Sequence, residues 1–160
     1  MDFVMVRHLE ERSMTFTAYE TSKVEIESLL FKESASAEFV FLVKSGTLLT
    51  VKEQSGRLVP TGTHKKGDFL GVSGGINRKV YDESCFTIED VEVVPIPITE
   101  ISKIIDSNEL WLKKIVNTTI DRLDSAINIL AEHKIFDTTK SSDFVFTDEV
   151  EAKFRKLINE

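Results

Sequence analysis

Phe39-Val-Phe-Leu-Val-Lys-Ser-Gly46-Thr-Leu48, Lys66-Gly67-Asp-Phe-Leu-Gly71 and Glu89-Asp-Val-Glu-Val-Val-Pro-Ile96 mark out a run of short strands punctuated by glycines. Phe39 to Val43 is continuously apolar, as a strand buried on both faces requires, and Gly46 lets the chain turn without steric penalty. Thr47–Lys52 and Arg57–Thr61 read as strands joined by the hairpin signal Glu53-Gln-Ser-Gly56. Gly67-Asp68 marks a further turn. Val80–Ile88 and Val91–Ile98 read as two more strands that meet at Glu89-Asp90. Strands this short, with turn residues this frequent, indicate an antiparallel sandwich or barrel.

Upstream, Met14-Thr-Phe-Thr-Ala-Tyr19 alternates apolar and polar residues, which predicts a half-buried strand. Thr21–Lys32 fits a strand or a helix, and strand is the favoured reading. Residues 1–12 form a lead-in. Downstream of Pro97 the period changes to that of helices. Thr99 is the expected cap of a short helix carrying Ile101, Ile104 and Ile105, and Ser107 or Asn108 that of a long one running to about residue 134. The long helix carries Val116, Ile120, Leu123, Ile127 and Leu130 at 4-3-4-3 spacing, the a/d seam of a two-stranded coiled coil. A polar linker, Asp137–Asp143, precedes a last helix capped by Thr147 with the stripe Val150, Phe154, Leu157 and Ile158. The expected division is residues 1–134, β-sandwich plus long helix, and 135–160, linker plus short helix.

The 160 residues carry a net charge of −7, with 41% hydrophobic and 29% charged side chains. This is ordinary for a globular chain and argues against nucleic acid, whose binding rests on neutralised phosphates. The single cysteine, Cys85, excludes an intramolecular disulfide, and its strand-like setting reads as a core thiol. His8, His64 and His133 are too dispersed for a cupin-type metal site, so no metal or other cofactor is expected. No nucleophile has a neighbouring base and no Walker-type loop is present, so the chain reads as a non-enzyme. With no signal-peptide pattern or membrane-length apolar stretch, the expected setting is the cytoplasm.

Lys44-Ser-Gly46, Gly67-Asp-Phe-Leu-Gly71 and Glu89-Asp90-Val91, in this order and followed by a short and a long helix, resemble the cyclic-nucleotide-binding jelly roll of the catabolite-activator family. The resemblance spans roughly residues 12–132. It implies a phosphate-binding cassette after Gly71, in which backbone N–H groups and an arginine hold the phosphate and a glutamate holds the ribose. Here Val72 stands at the glutamate's place, and Tyr81, beside Asp82 and Glu83, at the arginine's. Losing one partner of a buried charge pair costs about 2–5 kcal/mol, roughly a 30- to 3,000-fold loss of affinity. The implied site residues are Gly71, Val72, Ser73, Gly74, Gly75, Arg78 and Tyr81. Ser73-Gly-Gly75 can form an anion nest that Arg78 reaches, or a plain tight turn with Arg78 a surface charge. The resemblance also implies that the long helix pairs across a two-fold axis. About 25 residues beyond Lys134 are too few for the family's DNA-binding winged helix. The expectation is a degenerate, regulatory or adaptor jelly roll that homodimerises through Val116, Ile120, Leu123, Ile127 and Leu130 and engages a protein partner in signalling. Cyclic-nucleotide binding is expected to be weak or absent; sensing of a cyclic nucleotide or related small molecule through an altered cassette is the alternative.

Overall fold

The computed structural model describes residues 14–133 and 144–160. The lead-in 1–12 and the polar linker 137–143 therefore lie outside the described residues. Among the described residues eight strands follow in order: β1 (Ser22–Val24), β2 (Leu29–Phe31), β3 (Phe39–Ser45), β4 (Leu48–Gln54), β5 (Arg57–His64), β6 (Phe69–Leu70), β7 (Ser84–Thr87) and β8 (Val91–Pro97). Four helices accompany them among the described residues: α1 (Gly75–Arg78), α2 (Ile98–Asp106), α3 (Leu110–Glu132) and α4 (Asp148–Asn159).

The pairing is nested. β4 and β5 form the central hairpin, whose turn residues Ser55 and Gly56 both have positive φ, as a two-residue turn matched to strand twist requires. Outward from it β3 pairs with β6, β2 with β7 and β1 with β8, all antiparallel. Rolling this ribbon yields two four-stranded sheets, β1-β8-β3-β6 and β2-β7-β4-β5, which is jelly-roll order. The sheets form an open sandwich. Between them Phe31, Phe41, Val43, Leu48, Tyr81 and Val93 are buried, and Phe31 stacks on Tyr81 with ring centroids 4.2 Å apart.

Several local expectations are corrected. Met14–Tyr19 is irregular chain and turn, although Phe16 still packs edge-on against Phe41. The segment 21–32 is two strands broken by a turn at Glu27, which has φ 62°. The expected strand 80–88 shrinks to Ser84–Thr87, because residues 81–83 are drawn aside by long-range contacts described below. The caps differ too: α2 begins at Ile98 behind Pro97, and α3 begins behind Glu109, neither with a side-chain cap. Thr147 does cap α4, accepting a hydrogen bond from the Val150 N–H at 3.3 Å.

α4 covers the outer face of the β2-β7-β4-β5 sheet. Its stripe Val150, Phe154, Leu157 and Ile158 packs with Leu49, Val51, Leu58 and Phe86, and the Phe154 and Phe86 rings stack at 4.1 Å. At one end Glu151 accepts from the Arg57 guanidinium at 2.8 Å and from the Leu58 N–H at 2.9 Å. The Arg57 hydrogen bond is the main reason its carboxyl is held down to about 2. Burial of one aromatic face and one fixed charge together seat the helix. Phe154→Ala should therefore destabilise the protein by about 3–5 kcal/mol, as for other buried Phe truncations, and removal of everything after Lys140 should do at least as much. Urea unfolding checks both; a Phe154→Ala variant within 1 kcal/mol of wild type, on the order of an ordinary surface change, would show that α4 is not seated.

Candidate functional site

The stretch between β6 and β7 folds over one mouth of the sandwich. Gly71 has φ 82°, and a Cβ there would lie 2.8 Å from Cε1 of Tyr81. The turn Val72-Ser-Gly74 then enters the single-turn helix α1. Gly74 has φ 69°, and a Cβ on it would meet the Val80 carbonyl oxygen at 2.6 Å. Glycine is thus required at both positions, by conformation and by space. Lys79 leaves α1 in the left-handed region, and Val80 forms an isolated bridge with Ser36.

Each expected site residue can now be placed. Val72 is half-buried and packs on the sandwich core. Tyr81 is buried in that core; its hydroxyl donates to the Phe39 carbonyl at 2.7 Å, and burial pushes its pKa up to about 12. It is a strut between strands and carries no charge toward a ligand. Gly75 is buried against Ala37 and Ile98. Ser73, Gly74 and Arg78 converge on carboxylates. Ser73 Oγ lies 2.8 Å from Asp124 Oδ1 and 3.2 Å from Asp82 Oδ2, and the Gly74 N–H donates to Asp124 Oδ1 at 3.0 Å. Arg78 Nη2 donates to Asp82 Oδ1 at 2.9 Å and to Asp124 Oδ2 at 3.3 Å. The hydrogen bond to Asp82 is the leading reason its pKa is raised still further.

Asp82 is the centre of a longer network. Lys52, from β4, reaches its carboxylate at 3.1 Å and its backbone carbonyl at 2.7 Å, and pairs with Glu33 at 3.3 Å. Beside it Glu83, half-buried, accepts a short hydrogen bond from Thr61. Burial raises the Glu83 pKa to about 7, against the Thr61 bond, which lowers it. The expectation missed Lys52, Glu33 and Asp124. Asp124 alone left a trace: it lies four residues after Ile120 and three before Ile127, an acid inside an apolar helical stripe.

α3 lies over β4 and β5 with Ile120, Asp124, Ile127 and Ala131 buried beneath it. Ile120 and Ile127, expected in a seam with a second chain, therefore belong to the chain's own sandwich. Val116 and Leu130 are half-buried and Leu123 is 41% exposed, about 60° round the helix at 100° per residue. Trp111, Ile115 and Ile129 extend this exposed apolar surface, each more than half exposed.

A family model, the cyclic nucleotide-binding domain, matches residues 11–108. The chain belongs to that family. This cyclic nucleotide-binding domain shares its fold with part of the EAL enzyme Bd1971 in its cAMP-bound form, with a TM-score of 0.61 and 15% identity over 68% of this chain and 30% of that one. The chain thus spans less than a third of that enzyme's length. A putative cyclic nucleotide-binding protein from Geobacter metallireducens GS-15 is similar over 81% of this chain and 86% of its own, at 19% identity and a TM-score of 0.51. FixK2 from Bradyrhizobium japonicum is similar over 70% of this chain and 53% of its own, at 18% identity and a TM-score of 0.54. No curated protein sequence matches. Among the described residues no helix is long and apolar enough to cross a membrane, and no three His, Cys, Asp or Glu side chains cluster as metal ligands would.

The Glu83 carboxyl makes the domain's stability depend on pH. Its folded pKa of about 7 lies above its ordinary value of 4.5, so between those pH values the folded state holds a proton that the unfolded chain has released. Stability from this group is present at pH 4.5 and declines as pH rises through 7. Thermal melts at pH 5 and pH 7.5 should show a loss across that interval that is smaller in Glu83→Gln; equal losses in both proteins would contradict the assignment.

Proposed function

We propose that this domain is a non-enzymatic regulatory or adaptor module with a degenerate nucleotide site, dimerising through α3 and acting by contact with a protein partner. The observation that carries the reading is the state of the cassette: its guanidinium, Arg78, is held by the carboxylates of Asp82 and Asp124. A nucleotide phosphate entering there meets cations already engaged by carboxylates, Arg78 by Asp82 and Asp124 and Lys52 by Asp82 and Glu33. Val72 offers a ribose no hydrogen bond, and Tyr81 is committed to Phe39. Buried Cys85, its thiol pushed up by burial, and the acidic surface fit a cytoplasmic setting without nucleic acid or membrane contacts.

A second reading, sensing of a cyclic nucleotide or a related small molecule through the altered cassette, draws on the cAMP- and cGMP-bound forms of Bd1971, which share this fold. Titration calorimetry separates the two. Cyclic AMP and cyclic GMP should bind more weakly than about 100 μM, given the roughly 2–5 kcal/mol lost with a missing charge partner. A micromolar constant for either would establish the sensor and remove the degenerate reading.

Because Ile120 and Ile127 are occupied by the sandwich, the proposed dimer seam is Val116, Leu123 and Leu130, widened by Trp111 and Ile115. Large apolar side chains contribute about 1.5–3 kcal/mol each when buried, which favours covering such a face. Leu123→Asp introduces a charge on both copies at the seam while leaving the monomer core untouched. Light scattering should then give half the wild-type mass with the β-rich spectrum retained. A wild-type protein already monomeric at tens of micromolar, well above the constants typical of specific complexes, would contradict the seam.

A further inference from the structure

Asp124 combines features that an incidental surface acid lacks. It is buried, it comes from α3, and its three hydrogen-bonding partners all come from the cassette about fifty residues earlier. Oδ1 takes two of them, the Ser73 hydroxyl at 2.8 Å and the Gly74 N–H at 3.0 Å. Oδ2 takes the third, Arg78 Nη2 at 3.3 Å. A hydroxyl, a backbone N–H and a guanidinium directed at one anionic group form the donor set that an anion nest provides, and here the anion belongs to the chain.

We propose that Asp124 is a resident anion of the cassette and latches α3 to it, so that the long helix is held over the sandwich independently of any small molecule. The inference rests on the reading of the cassette as degenerate and deepens it. An external phosphate must displace the Asp124 carboxylate from Ser73, Gly74 and Arg78 before it can use them. The latch also fixes the rotation of α3. Leu123 adjoins Asp124 and therefore projects about 100° away from it, on the exposed side. Seating the carboxylate in the cassette and presenting the apolar face are consequences of one helix orientation.

Amide hydrogen exchange on the nucleotide-free protein tests the latch. In the wild type the Gly74 amide and α3 should be protected. Hydrogen bonds to charged groups are the stronger ones, so Asp124→Ala should speed exchange at Gly74 and along α3 at least about tenfold, with the sheet amides unchanged. Sodium formate, filling the vacated carboxylate position, should restore part of that protection where sodium chloride does not. Should Asp124→Ala fail to fold, Ser73→Ala and Arg78→Gln carry the same test from the other side: each should loosen α3, on which neither lies. Exchange in α3 that ignores these substitutions overturns the latch, and so does a formate effect no larger than that of chloride. Adding cyclic AMP to the wild type keeps the two proposals apart. Micromolar binding by a protein whose free form is latched would end the degenerate reading and leave the latch; a non-binding protein with an unlatched α3 would do the reverse.

Discussion

A carboxylate removed from water must be paired, hydrogen-bonded or protonated, and three of them sit together at the mouth of this sandwich. Each is accommodated differently. Asp82 is paired by Lys52 and Arg78. Asp124 receives Ser73, Gly74 and Arg78. Glu83, with Thr61 as its hydrogen-bond donor, is kept near half-protonated at neutral pH by desolvation. These arrangements tie β4, the β6–β7 connection and α3 to one another. The apolar core holds the two sheets together, but the charge network decides where the cassette and the long helix lie on them.

The network also explains why the fold was more legible in the sequence than the site. The central hairpin announced itself through Ser55-Gly56, and β3 and β8 through their apolar runs, because those signals are local. Residues 80–88 read as one strand, yet only Ser84–Thr87 form one. Tyr81 is pulled toward Phe39 and Asp82 toward Lys52, partners 42 and 30 residues away. No local pattern encodes such contacts. For the same reason Arg78 also reads as a surface charge, and half of its side chain is indeed exposed. Asp124 was visible only as a polar interruption of an apolar stripe, which a search for seams passes over.

The stripe on α3 shows a different limit. A 4-3-4-3 pattern is the mark of a seam, but it does not say how many surfaces share it. On a straight helix, positions three apart diverge by about 60° and those seven apart by only about 20°. Ile120 and Ile127 therefore stay together on the sandwich side, while Val116, Leu123 and Leu130 fall together on the flank. One apolar band serves the chain's own core along one edge and leaves the other edge uncovered. A coiled coil in isolation would use both edges for its partner.

The two faces of α3 suggest how a cyclic nucleotide-binding domain can be useful with its nucleotide chemistry altered. In a sensor the position of the closing helix must depend on a ligand, so the protein's own contacts to it must be weak enough for the ligand to tip the balance. Here the helix is engaged by apolar burial at Ile120, Ile127 and Ala131 and by a charge-assisted cluster at Asp124. On the reading proposed above, that combination leaves little for a ligand to add. The helix becomes a fixed platform, and its exposed flank is the part left free to recognise another surface. Burial of Asp124 in the cassette and exposure of Leu123 beside it are then two aspects of one design: the charge sets the rotation, and the rotation sets what the partner meets.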